Sequence, residues 1–150
     1  MSKKSYIFLN VGDVKLHNRL ACFDVDWTIV KPNGGRKFPK DNNDLQLWHN
    51  SVLPRLQNLI KDQYTIVFFT NQKNKSIQDN IEKANTIKKL IKVPFLYLAS
   101  MKDDKYRKPA TGLWKLTKKY IKNINLDSSF FVGDAAGRLR AWQKGKKKDF

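Results

Sequence analysis

Cysteine occurs once in the 150 residues, histidine twice, and acidic residues 13 times against 30 lysines and arginines. The single thiol, Cys22, excludes an intrachain disulfide and a cysteine-built zinc site, and it fits a reducing compartment. No apolar run approaches the ~20 residues of a membrane span, and the apolar stretch after Met1-Ser2-Lys3-Lys4 is too short for a secretory signal. The expectation is a soluble intracellular protein with no membrane contact, nuclear or cytoplasmic. The pattern Gly-x-x-x-x-Gly-Lys-Ser/Thr is absent, which excludes ATP held in that kind of phosphate-cradling loop. His17 and His49 lack neighbours that suggest catalysis and are read as structural.

What the sequence has in excess is positive charge. The formal net charge is +17, rising from +3 over residues 1–50 to +5 over 51–100 and +9 over 101–150. With 41% hydrophobic residues in periodic runs, this charge sits on a folded protein and not on a disordered tail. A polyanionic partner is expected, nucleic acid above all, with a solvated basic surface as the bland alternative. At this length the chain is one domain with a core of useful size, and nothing indicates an oligomer, so a monomer is expected.

Periodicity supplies the architecture. Tyr6 to Val11 and Arg19 to Phe23 flank a turn at Gly12-Asp13, predicting an opening hairpin or a short strand before the central one. Lys31-Pro32-Asn33-Gly34-Gly35-Arg36-Lys37-Phe38-Pro39-Lys40 reads as a basic flap. A helix over 51–61 is predicted with Ser51 as its cap, Pro54 in its first turn, and Val52, Leu56 and Leu59 on one face. Tyr64 to Phe69 is a strand buried on both faces. Ile77, Ile81, Ala84, Ile87 and Ile91 recur at helical spacing, Val93 to Ala99 is strand-like, and 109–122 carries Leu113, Leu116 and Tyr120 on a helical face. Phe130-Phe131-Val132 is the last strand. Strands alternating with helices imply an α/β fold, a Rossmann-like three-layer α/β/α arrangement around a mainly parallel sheet. Ligands of such sheets bind beyond the carboxyl ends of the strands, where Asp24, Asp26, Thr70 and Asp134 fall.

The run Leu20 to Val30 holds the central feature, an apolar strand ending in carboxylates at alternate positions, Asp24 and Asp26. On a strand that ran on straight they would share a face and repel. A hard divalent cation would offset this and keep one carboxylate ionised as a nucleophile, while the other worked as acid and base. Taken alone, the two acids also fit an Asp-rich turn in which both are solvated.

Asp24-x-Asp26-x-Thr28, Thr70-Asn71-Gln72, Arg107-Lys108-Pro109 and Gly133-Asp134-Ala135-Ala136-Gly137-Arg138, in that order, resemble the haloacid dehalogenase superfamily of aspartyl-phosphate phosphatases. The stretches Arg36-Lys37-Phe38-Pro39, Phe69 to Gln72, Tyr106 to Pro109, Val132 to Arg138 and Lys146 to Phe150 resemble the phosphatase domain of polynucleotide kinase 3′-phosphatases. The resemblance covers most of the chain and implies a magnesium-dependent phosphomonoesterase with a minimal cap, acting on DNA with a 3′-phosphate end. In such an enzyme Asp24 is the nucleophile and Asp26 the acid and base, while Thr70 and Lys108 hold the phosphoryl group. Mg2+ is held by Asp24, Asp134 and the backbone carbonyl of Asp26. Thr28, Phe38, Asn71 and Arg107 fall at substrate-binding positions, with Arg36 and Lys37 beside them on the nucleic-acid path. The resemblance implies the phosphatase unit without its kinase half. The family pattern runs on past Phe150, which leaves truncation open.

Two positions depart from the pattern. Trp27 stands where the superfamily usually has Gly, so a backbone conformation reserved for Gly costs energy there. Its indole either stacks on the terminal nucleotide or seals the site, or else packs under the flap. Lys73-Asn74 replaces a small flexible residue at the entry loop. Two other functions stay open at this point. One is a phosphatase of a small sugar or nucleotide phosphate, and the other is a catalytically silent module that binds nucleic-acid ends.

Overall fold

The computed structural model describes residues 5–102 and 112–133. In chain order its elements are β1 (Tyr6–Val11), β2 (Arg19–Asp24), β3 (Val30–Lys31), β4 (Gln46–Leu47), α1 (Val52–Lys61), β5 (Tyr64–Asn71), α2 (Ile77–Ile91), β6 (Phe95–Ser100), α3 (Gly112–Tyr120) and β7 (Phe130–Val132). Five strands form one sheet in the order β1-β6-β5-β2-β7, with β1 antiparallel to β6 and the other pairs parallel. The predicted α/β fold with a mainly parallel sheet is therefore present, and its three layers follow from the strand sequences.

Alternation on β2 sends Ala21 and Phe23 to one face and Leu20 and Cys22 to the other, and both sets are buried. On the first face they pack with Ile66, Phe68 and Tyr97 against Val52 and Leu56 of α1 and Ala84, Ile87 and Ile91 of α2. On the second they pack with Val67, Phe69 and Leu98 against Leu113 of α3 and Ile121 just after it. Burial in this second layer pushes the Cys22 thiol up to about 12.

Of the two openings expected, the short strand before the central one is present and the hairpin is not. Both edges of β2 are taken, by β5 and β7, and β1 pairs with β6 at the sheet's far side, Tyr6 opposite Ser100 and Val11 opposite Phe95. Left-handed backbone at Gly12 and Asp13 turns the chain, and the Asn10 side chain accepts the amide of Val14. Helix α1 carries the predicted apolar face, but Ser51 caps nothing with its hydroxyl. Its backbone is already helical, and its Oγ pairs with His49 Nδ1 at 2.9 Å. Helix α2 starts on a capping box in which Ser76 Oγ accepts the Asp79 amide and the Asp79 carboxylate accepts the Ser76 amide. Its first apolar position, Ile77, is exposed.

Candidate active site

Register brings the carboxyl ends of three strands to one rim. Asp24 lies opposite Phe69, and Thr70 and Asn71 lie opposite Ala99 and Ser100. At that rim β2 does not run on straight. The amides of Thr28, Ile29 and Val30 all point at the carbonyl of Val25, and the Trp27 amide at that of Val30. This winds the chain into a tight loop in which Trp27 has a φ of 62°. Left-handed backbone here is what makes glycine the easy residue for the position, and tryptophan adopts it at a cost of about 1–2 kcal/mol.

The Asp26 carboxylate leaves this loop toward β5 and α2. Lys83 Nζ donates to its Oδ1 at 2.6 Å, and Gln72 Nε2 donates to its Oδ2 at 3.2 Å. Gln72 Nε2 also donates to Thr70 Oγ1 at 2.7 Å, and the Gln72 amide is fixed on the Ser100 carbonyl at 2.7 Å. Asp26, Thr70 and the buried Gln72 thus form one network. Because Thr70 Oγ1 accepts from Gln72, its own proton is directed elsewhere. Beneath the network, Tyr97 OH donates to Asn80 Oδ1 at 2.8 Å, and burial first and the Asp26 charge second hold that phenol protonated well beyond its ordinary range.

Asp24 is pressed from the other side by β7. A Cβ on Gly133 would meet Asp24 Cγ at 2.9 Å and Oδ2 closer still, so only glycine leaves the carboxylate its place. Between α1 and β7 lies a largely apolar cavity of about 420 Å³, lined by Phe23, Trp27, Thr28, Arg55, Phe130 and Gly133 among others. Thr28 belongs to this wall and not to the Asp26 network. Its hydroxyl is buried without a hydrogen bond among the described residues.

The flap is a hairpin closed by the two-residue pairing of β3 with β4, too short for any alternation to announce it. Its organiser is the buried Asp44, which accepts from Asn33 Nδ2 at 3.0 Å, from Arg36 Nη2 at 2.6 Å and from the Lys40 amide at 2.7 Å. The Arg36 guanidinium, ahead of the other bonds, holds the Asp44 carboxyl well below the usual carboxylate range. Arg36 is thereby turned inward, whereas Phe38 stands 73% exposed at the flap's outer end. Trp27 packs edge-on against Trp48 at 5.8 Å, at the foot of the hairpin, with Lys31 Nζ over the Trp48 ring. The ring thus packs at the foot of the flap and also lines the cavity.

Arg107, Lys108 and Asp134 lie outside the described residues. Among the described residues no three His, Cys, Asp or Glu side chains gather as a metal would need. The oxygens that are present fit a hard cation nonetheless. Asp24 offers a carboxylate, and none of the four loop amides from Trp27 to Val30 goes to the carbonyl of Asp26. Asp134, the third expected ligand, follows Gly133 in the sequence.

The polynucleotide kinase 3 phosphatase family model matches residues 19–150. The chain belongs to this family. Among its relatives, the bifunctional polynucleotide phosphatase/kinase of Schizosaccharomyces pombe is 38% identical over 136 residues, covering 85% of this chain and 33% of that protein. An uncharacterised 20.8 kDa protein of Autographa californica nuclear polyhedrosis virus is 36% identical over 137 residues, covering 86% of this chain and 72% of the viral one. This 3′-phosphatase family member therefore spans only about a third of the fission-yeast relative's length. Among solved structures, a HAD-like phosphatase from Mesorhizobium loti superposes with a TM-score of 0.72 at 19% identity, over 89% of this chain and 72% of that one. The haloacid dehalogenase-like fold is thus shared. No helix among the described residues is long and apolar enough to cross a membrane.

Lys83 and Asp44 were not singled out from the sequence, and Gly133 entered only as the first residue of the Gly133-Asp134 stretch. The signal for Lys83 was its place in α2, on the face shared with the buried Asn80, Ala84 and Ile87, where a lysine has no reason to be unless something receives its charge.

Proposed function

We propose that this chain removes the terminal phosphate from DNA 3′ ends through an aspartyl-phosphate on Asp24. The observation that carries it is the pair of carboxylates at the end of β2 held in different surroundings. Asp24 lies where a Cβ on Gly133 would displace its carboxylate, and Asp26 is fixed by Lys83 and Gln72. Unequal surroundings suit unequal roles.

An Asp24 carboxylate oxygen attacks phosphorus, and the bond from phosphorus to the sugar 3′ oxygen breaks. Protonated Asp26 gives its proton to that oxygen, which leaves poorly as an alkoxide. Asp26, now ionised, removes a proton from the water that attacks the aspartyl-phosphate, and inorganic phosphate leaves with Asp24 restored. The Thr70 hydroxyl donates to a phosphoryl oxygen, and Lys108 offsets the charge that builds there. Asp24, Asp134 and the Asp26 carbonyl would hold Mg2+, which when bound would supply charge neutralisation at the phosphoryl group.

Grip on the strand comes from Phe38 stacking on a terminal base, from Asn71 near the rim, and from Arg107 on backbone phosphate, independent of sequence. The reaction needs no ATP, one chain suffices for it, and the 3′-hydroxyl it leaves suits ligation or extension in strand-break repair. The test is phosphate release from an oligonucleotide with one 3′-phosphate, with magnesium and with chelator, beside Asp24→Asn and small alkyl monoesters. Magnesium-dependent release lost in Asp24→Asn is expected. Faster turnover of a small monoester would transfer the reading to a small-molecule phosphatase. Strand binding without release would leave a silent binding module.

A further inference from the structure

Lysine on the inward face of a helix loses hydration, and a single ion pair seldom returns that cost. Lys83 is only 8% exposed, yet its partner Asp26 keeps 45% of its side chain open to solvent. A half-solvated pair of this kind is a weak source of stability. Its other property is geometry, because each end is held by independent anchors. The first turns of α2 are fixed by the Ser76–Asp79 box, by Asn80 against Tyr97 of β6, and by Asn42 of the flap, whose Nδ2 donates to Asp79 Oδ1 at 3.1 Å and Glu82 Oε1 at 2.7 Å. Lys83 is delivered from this braced segment to one oxygen of Asp26, at 2.6 Å, while Gln72 reaches the other at the longer 3.2 Å.

Resting on the phosphatase reading above, we infer that Lys83 is a positioning residue for the acid and base. It locks Asp26 Oδ1, so that Oδ2 is the oxygen that exchanges protons with the leaving group and with the attacking water. Lys83 touches no substrate atom in this scheme, and it acts only by fixing the rotation of the Asp26 carboxylate about its terminal bond, a torsion that is otherwise broad. A proton donor held out of line costs most where the leaving group needs its proton most.

The test compares an alkyl phosphate, whether an oligonucleotide 3′-phosphate or a small alkyl monoester, with p-nitrophenyl phosphate, whose leaving group departs without a proton. Rapid-mixing measurements follow the first step in the parent, Lys83→Met, Lys83→Arg, Asp26→Ala and Lys83→Met/Asp26→Ala. Lys83→Met is expected to slow alkyl leaving-group release about 10- to 100-fold, with KM within about twofold and the nitrophenol burst within about twofold of the parent. Lys83→Arg recovers part of the loss, and Lys83→Met adds nothing in the Asp26→Ala background, because two residues acting as one unit are not additive. Equal losses on both substrates, or full additivity with Asp26→Ala, would overturn the positioning role. A melting temperature for Lys83→Met within a few degrees of the parent separates this effect from unfolding; a collapse that Lys83→Arg fails to rescue means the residue is structural and also overturns it. The substrate class is judged apart. If the parent turns over only small alkyl phosphates, the DNA-end reading fails while the Lys83 comparison still stands. No turnover of any monoester by the parent defeats both.

Discussion

Trp27 occupies left-handed backbone with a φ of 62°, and its ring packs edge-on against Trp48 at 5.8 Å. Replacing it by alanine and by glycine separates the two consequences. Both substitutions delete the ring contact and the apolar area it covers, together worth roughly 2 kcal/mol. Alanine keeps the left-handed cost of about 1–2 kcal/mol, which glycine relieves, although glycine's looser unfolded chain returns about 0.4–1 kcal/mol of that advantage. The expected order of stability is parent, then Trp27→Gly, then Trp27→Ala, with glycine above alanine by roughly 0.5–1 kcal/mol. For a chain of this size that gap is a melting difference of about 2 °C, best read by urea titration of all three proteins in parallel. The usual ranking outside this conformation favours alanine. An alanine variant as stable as the glycine one would therefore refute the claim that the Asp24–Val30 loop is held in a strained form.

Other expectations concern the site and the flap. Gly133→Ala introduces a methyl that the Asp24 carboxylate cannot tolerate where it stands, so phosphate release should fall at least about 100-fold, the scale of a misplacement near 1 Å; a change under threefold would remove Gly133 from the argument. Asp44→Asn removes the charge that gathers Asn33, Arg36 and Lys40, and trypsin should then cut the 36–40 stretch about ten times faster, as followed by mass spectrometry. Because the folded Asp44 carboxyl titrates below its ordinary 3.8, its contribution is complete above that value. It fades as pH falls below 3.8 toward the lowered folded value, so parent flap protection should be flat from pH 5 to 8. Cys22, buried and with its thiol pushed up to about 12, should resist iodoacetamide in the native protein at pH 8 and react once the chain is unfolded in urea.

Much of this was legible in the chain because it is local. Continuous apolar runs gave β5 and β6, the Val52-Leu56-Leu59 spacing gave α1, and the strand-end carboxylates marked the rim. What was not legible depends on partners distant in sequence. Tyr6–Val11 carries no mark of choosing β6 over its neighbour β2, since pairing is settled by which edges remain open. Ser51 has a cap residue's chemistry, but His49 takes its hydroxyl. Arg36 reads as a free cation until Asp44, eight residues on, is seen beside it. Lys83 is hidden by number, one basic residue among 30, and only its helical phase sets it apart.

The antiparallel pairing of β1 has a practical side. Tyr6 sits opposite Ser100, and the Ser5 carbonyl accepts the Met101 amide at 2.8 Å, so the polypeptide enters the sheet at the same rim as Asp24, Asp26 and Thr70. An affinity tag joined ahead of Ser5 would be tethered beside that rim. A histidine-rich tag brings imidazoles that bind divalent metals, and an acidic one brings charge that repels a polyanion. Assays of metal dependence and of strand affinity on this protein are thus sensitive to how it was purified, and untagged material is the proper reference for both.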